Sequence, residues 1–309
     1  MATRAADLTQ PIRLQADRRR WGEDVVKGVL ALCALLSLAT TVGIVVALVL
    51  PSIDFFREVS PAKFYGGTEW SPLFLDKHFG VLPLVSATLV VTAIACVVCM
   101  PLGLGVAIYL SEYARPRVRG FLKPALEVLA GIPTVVYGFF ALITLTPFLQ
   151  TIGINVGIFN MLAAGLVIGV LLIPTVASIS EDAMAAVPRD LRDGAYALGS
   201  SRLQVSTRIV VPAAISGIVA SYVLAISRAI GETMVVVIVA GGVANLTADP
   251  REGALTMTGF IAQTGIGDVP TGSIEYKTIF AVALTLFLLT FVMNLIAIRL
   301  VRKYREIYE

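Results

Sequence analysis

Between Ile209 and Gly242 an apolar run is interrupted by two charges, Arg228 and Glu232. A charge at the centre of a membrane helix costs about 2.5 to 3.5 kcal/mol on insertion scales, so such residues mark a functional site by default. Spaced i and i+4, the two can face each other on one side of a helix. Two readings stay open. In one, they form an ion pair that offsets its own desolvation and keys helix packing. In the other, Arg228 stands on an anion's route, where a planar guanidinium matches oxyanion oxygens in fork geometry and stays charged. Another carboxylate, Glu127, shortly precedes Gly131, Ile132, Pro133 and Thr134 at the start of a further apolar run. Glu127 reads as an interfacial charge and Pro133 as a kink whose freed carbonyl faces polar neighbours. Glu127 and Thr134 are therefore assigned a path or a packing role, with both open.

The segment Glu181 to Arg208 carries a different pattern. Pro188 can open a short helix at its first turn and Gly199 can close it at C′. Leu191, Ala195 and Leu198 recur at i, i+4 and i+7, giving one narrow apolar stripe on a helix that otherwise carries Arg189, Asp190, Arg192 and Asp193. A helix over 188–199 is too short to stand alone. It is either a surface linker or docked, on its own membrane domain or on a cytosolic partner.

Other chemistry is excluded by what the residues lack. Cys96 and Cys99 form a CxxC one helical turn apart, but His78 is the single histidine and a structural zinc needs four N/S ligands, so no metal is assigned. With Cys33 they all fall in apolar runs, which offers no secreted disulfide framework. Gly103 and Gly105 follow Pro101 in mid-span with no preceding strand, which reads as helix loosening and not as dinucleotide binding. Gly165-x3-Gly169 reads as close helix packing. The chain has no Gly-Lys dipeptide and hence no P-loop, no HExxH and no GxSxG. No catalytic residue and no bound cofactor is assigned, and ATP hydrolysis is not expected of this chain.

The elements that must position these residues are membrane helices. Of 309 residues 57% are hydrophobic and 15% charged, with mean hydropathy +0.86; charge well below the usual ~25% excludes an ordinary soluble domain. Net charge is only +3, which gives no case for a nucleic-acid partner. Against the ~20 residues needed to cross a bilayer, uncharged runs predict six spans at about 28–50, 79–111, 128–149, 158–180, 209–242 and 278–298. The third and fourth are split at Pro147 and the Gly153, Asn155, Gly157 cluster. Eighteen of the 24 Lys and Arg residues fall on one side, in the N-tail 1–27, the second and fourth loops, and Arg299 with the C-tail 301–309. Both termini are therefore expected in the cytoplasm, flanking a multi-pass domain over 28–300 in contact with membrane lipid. The first span is too long for a cleavable signal. Asp54 to Lys77 is read as an outer loop, ordered against the protein by Phe64, Tyr65 and Trp70, whose rings suit an interface.

Two groups of motifs carry a family resemblance. Asp193, Gly194, Ala195, three residues, Gly199, nine residues, then Ile209, Val210, Val211 and Pro212 resemble the EAA-x3-G-x9-I-x-LP pattern of ABC-importer permeases. Asp193, Gly194 and Val211 depart from it while keeping charge sign, smallness and apolarity. In that family the segment is the coupling helix that sits in a groove of the ATP-hydrolysing subunit, which implies that role for Leu191, Asp193, Gly194, Ala195, Leu198 and Gly199. The texts GTEWSP, PLGLGVAIYLSEYA, KPALEVLAGIPTVVYGFFAL, DGAYALGSS and SRAIGETM resemble the permease of the phosphate-specific ABC importer, the Pst system, PstC-type subunit.

The resemblance covers residues 60 to 305. It implies an all-α, six-helix type I importer permease in a bacterial inner membrane, moving phosphate by alternating access. It also implies a PstA-type permease partner, a PstB-type ATPase dimer holding ATP and Mg, and an extracytoplasmic phosphate-binding protein docking on Phe64 to Trp70 and Ala248 to Lys277. Arg228 and Glu232 would belong to the translocation path. The rivals are a permease for another oxyanion, such as sulfate or molybdate, and an ATPase-independent transporter or channel. Internal repeats or several intramembrane charges would be expected of the latter, and the sequence has one pair.

Overall fold

The computed structural model describes residues 21–303, so most of both predicted tails lies outside the described residues. They fall into two units divided after Ala47. The first is the leading part of helix α1 (Trp21–Glu58), most of whose apolar side chains, Leu30, Leu32, Leu35, Leu36 and Leu38 among them, are exposed. Its hydroxyls are turned inward on the helix itself. Thr40 donates to the Leu36 carbonyl at 2.8 Å and Thr41 to that of Ser37 at 3.0 Å, so apolar groups dominate its surface.

In the second unit the axis is a pair of helices, α3 (Leu82–Ile108) and α7 (Met161–Ala185). Small residues on both let the backbones approach. A Cβ at Gly165 would lie 2.6 Å from Ile94 Cβ, one at Gly169 the same distance from Val98 Cβ, and one at Gly103 the same distance from Val176 Cβ. Gly103 is thus a packing residue and not the loosening element its sequence context suggests, whereas Gly105 faces open space. Around this seam Val91, Ala95, Cys99, Ile168, Leu172, Val176, Ala225 and Ala229 form the main core.

Among the described residues, five helices are long and apolar enough to cross a membrane: Gly22–Glu58, Leu82–Tyr113, Thr134–Thr151, Met161–Ala185 and Ile274–Arg299. The fifth expected span, 209–242, is broken. Arg202–Ala213 and Ile215–Ile230 meet at 71°, just past Pro212. The second piece, α11 (Ile215–Ile230), stops at Gly231, and a separate short helix, α12 (Met234–Val239), follows. The third span also starts later than expected. The α4 helix (Pro116–Gly131) carries Glu127 and ends before Ile132, which takes the extended conformation that a following proline favours, and α5 (Thr134–Phe140) begins afresh. Pro133 therefore separates two helices where a kink within one was expected.

The outer aromatic loop is ordered against the protein, as expected. Phe64 is fully buried and Trp70 nearly so, in a cluster with Phe55, Leu84, Met257 and Phe260. Trp70 packs edge-on to Phe260 at 4.9 Å, and only Tyr65 of the three expected interface rings is exposed. The α7 helix is anchored at the same end by Asn160, fully buried, whose Oδ1 accepts the Ala163 N–H at 2.7 Å and whose Nδ2 donates to the Gly157 carbonyl at 3.0 Å.

Candidate functional site

Two constellations are built on this frame. The first surrounds helix α8 (Arg189–Ala197). Gly199 has φ +84, the left-handed conformation that glycine adopts without penalty. The Ser200 N–H then reaches the Ala195 carbonyl at 3.1 Å and the Gly199 N–H that of Tyr196 at 2.9 Å, a Schellman closure. Gly199→Val is expected to cost about 1 to 2 kcal/mol locally, because a Cβ crowds the backbone there. Hydrogen exchange over Ala195 to Ser200 measures it; unchanged protection would contradict the strain argument.

The expected stripe on α8 divides. Ala195 is buried with Met184, Val187, Val205 and Val210, whereas Leu191 is 37% and Leu198 89% exposed. At 100° per residue the three span an arc of about 60° with Ala195 at one edge, and only that edge faces the chain. What fastens α8 is Arg192, which the sequence reading left as one surface charge among several. Its Nη1 donates to the Val187 carbonyl at 2.6 Å and its Nη2 to that of Met184 at 2.8 Å, at the end of α7. Nη2 also reaches Glu112 Oε1 at 3.0 Å, in the turn that ends the α3 span. The Glu112 side chain is only 5% exposed. One guanidinium thus ties α8 to two membrane helices.

Beside it, Glu181, with a side chain 1% exposed, accepts from Arg119 and from Lys123 Nζ, the latter at 2.8 Å. Lys123 also meets Asp182 at 2.9 Å, and hydrogen bonding to Glu181 first and Asp182 second holds its ammonium above the ordinary lysine range. Long-range pairings such as these, 58 to 80 residues apart in sequence, leave no local signal.

The second constellation is the α11–α12 break. Arg228 and Glu232 do not pair, which corrects the facing geometry expected of one continuous helix. Glu232 lies beyond the end of α11 and is 9% exposed; its Oε1 accepts the Val235 N–H at 3.3 Å at the start of α12, while its carbonyl accepts from Thr258 Oγ1 at 2.8 Å. Arg228 instead donates from Nη1 to Thr175 Oγ1 on α7 at 3.1 Å, and its side chain is exposed. Glu127 is exposed on α4 and Thr134 half-buried at the start of α5; neither touches Arg228 or Glu232 through a hydrogen bond or ion pair. Cys99 is buried in the main core, and no group of three His, Cys, Asp or Glu residues suited to a metal occurs among the described residues.

A family model described as the binding-protein-dependent transport system inner membrane component matches residues 99–306. The chain belongs to this family. The permease is 35% identical over 92% of its length, and 93% of the relative's, to a probable ABC transporter permease protein, YqgH, of Bacillus subtilis. It is 32% identical to the phosphate transport system permease protein PstC of Mesorhizobium japonicum, covering 76% of each chain. PstC 1 of Mycobacterium tuberculosis is 33% identical, over 78% of this chain and 81% of that one. Among solved structures, a bacterial alginate ABC transporter in complex with a pentasaccharide-bound periplasmic protein has TM-score 0.59 at 16% identity, over 93% of this chain and 98% of that one. The inward-facing MetNI methionine ABC transporter has TM-score 0.54 at 20% identity, over 74% and 95%. The fold is that of type I ABC importer permeases, and the permease is a multi-pass transport component of an ABC importer.

Proposed function

We propose that this permease is the PstC-type subunit of a phosphate importer, working by alternating access beside a PstA-type subunit. ATP and Mg are held by a PstB-type ATPase dimer on the side of α8, which is the cytoplasmic side with both termini. An extracytoplasmic phosphate-binding protein docks at the opposite end. The observation that carries the cargo assignment is Arg228: a permanent cation on a membrane helix whose one hydrogen-bond partner among the described residues is a neutral hydroxyl, so no carboxylate among them, Glu232 included, cancels its charge. Such a guanidinium can replace hydration that an oxyanion loses on entering the membrane. Likeness to PstC proteins over most of the chain supports phosphate as that oxyanion.

Coupling is assigned to α8. Leu191 and Leu198 are exposed, and a Cβ at Gly194 would meet nothing within 4 Å, so the smallness of Gly194 answers no contact within the chain. It suits close approach by an ATPase groove, with Asp193 exposed beside it.

The test is phosphate uptake per assembled complex in vesicles. Arg228→Gln is expected to lower it at least about tenfold with assembly intact, equivalent to the ~1.5 to 3 kcal/mol of a hydrogen bond to a charged group. Arg228→Lys keeps the charge without the fork and falls between. Wild-type uptake by Arg228→Gln would refute the assignment. The B. subtilis relative's description names no cargo. Sulfate and molybdate are therefore included as competing cargo.

A further inference from the structure

Behind Thr175, the residue that holds Arg228, lies a cavity of about 240 Å³ between α4 and α7, lined by Thr175, Ser178, Lys123, Glu127 and Glu181 among others. A second cavity, of about 480 Å³, shares Leu110, Lys123 and Glu127 with it and reaches Pro116 and Arg119 at the start of α4. The walls of both are mostly apolar, and the shared Lys123 and Glu127, with Thr175, Ser178 and Glu181 in one and Arg119 in the other, place the polar groups between Thr175 and the start of α4. Thr175 Oγ1 accepts from Arg228, which leaves its own O–H free to donate. Ser178, one turn further along α7 and half-buried, has no hydrogen-bond partner among the described residues. Two unspent hydroxyl donors thus follow one fixed guanidinium.

The carboxylates here differ in kind. Glu181 is spent on Arg119 and Lys123. Glu127 is not: it has no ion-pair or hydrogen-bond partner among the described residues. A free carboxylate on an anion's route repels a fully ionised anion such as sulfate. Hydrogen phosphate differs because its P–OH can donate to that carboxylate while its other oxygens accept from Ser178 and Thr175. A phospholipid phosphodiester carries no such proton.

Resting on the phosphate-import reading, we propose that this α4–α7 cavity is an exit station for a protonated oxyanion, with Thr175 and Ser178 as donors and Glu127 as the acceptor that discriminates hydrogen phosphate from sulfate. Rejection by an unmatched polar group exceeds what size alone achieves.

The whole importer, reconstituted with saturating binding protein, is assayed for phosphate uptake per assembled complex, with sulfate added on the ATP side, where it reaches the cavity without the binding protein. Thr175→Val and Ser178→Ala are each expected to lower uptake about tenfold, the loss of one hydrogen bond to a charged ligand. Thr175→Ser, which keeps the hydroxyl, should recover most of what Thr175→Val loses; equal loss would make Thr175 a packing residue. Sulfate should inhibit Glu127→Gln and leave the wild type unaffected. Equal inhibition of both, or wild-type uptake by Thr175→Val and Ser178→Ala, overturns the proposal. If Arg228→Gln is still impaired in that event, the exit station alone falls; if it too is normal, the phosphate-import reading falls with it. A defect that tracks the vesicles' anionic-lipid content rather than phosphate would assign the cavity to a lipid headgroup, and would equally overturn the station.

Discussion

Replacing Gly165 by leucine is expected to deplete the permease from the membrane, with a destabilisation of about 3 kcal/mol, the upper range for overpacking a core. At this position even a single added carbon would sit 2.6 Å from Ile94 Cβ and 3.1 Å from the Val91 carbonyl oxygen. Ile94 is itself β-branched and can hardly turn away, and a backbone oxygen of α3 cannot retreat without moving the helix. The seam between α3 and α7 would have to open, and the buried residues around it would lose their fit. Gly105→Leu provides the internal control: it lies on α3, the other helix of this seam, at a position where an added Cβ meets nothing within 4 Å, so only glycine's helix propensity changes. Thermal unfolding of the two purified variants, with their yield in membranes, measures the difference. Equal stability of the pair would mean that the glycines of this seam do not set the helix spacing.

The second large effect is expected at Arg192. Removing its side chain in Arg192→Ala leaves Glu112, 5% exposed, without its cation, and takes a charged donor from the Met184 and Val187 carbonyls at the end of α7, of which Met184 keeps the Val187 N–H. Breaking a buried pair by deleting one partner is expected to cost about 3 kcal/mol. The damage should be confined to the α8 end, since the α3–α7 seam does not depend on it. A double variant, Arg192→Met with Glu112→Leu, removes the stranded charge and should recover most of the thermal stability. It should not recover phosphate uptake, because the tie from α8 to both membrane helices is gone while the ATPase can still turn over. Uptake and ATP hydrolysis, measured on the same vesicles, separate the two roles. If the double variant transported phosphate like the wild type, Arg192 would be a stabilising residue with no part in transmitting movement.

These predictions rest on features of unequal legibility. The membrane class, the helical fold, and a short helix ending at Gly199 follow from local rules. A run of apolar residues about 20 long has few places to be other than a bilayer, and a glycine after a short amphipathic stretch marks a left-handed closure whatever surrounds it. Gly165 and Gly169 could likewise be read as packing residues, because small residues at i and i+4 always lie on one helix face.

What hydrophobicity could not decide was where a helix breaks. Arg228 and Glu232 look like an i, i+4 pair only if one helix runs through them. The chain instead stops at Gly231, and Glu232 caps α12 because Thr258, 26 residues away, holds its carbonyl. Phe64 and Trp70 are legible as rings that hold the outer loop against the protein, but the partners they meet are not: one is Phe55, nearby in sequence, and the other Phe260, 190 residues beyond Trp70. Arg192 and Glu112 sit 80 residues apart, and nothing in the spacing of either announces the other. Local sequence determined which segments are helices and where the apolar ones belong, because those are properties of a residue and its near neighbours. Tertiary packing alone decided which charges are paired and which are left free, because a partner for a buried charge must be supplied from wherever in the chain the fold brings one within about 3 Å.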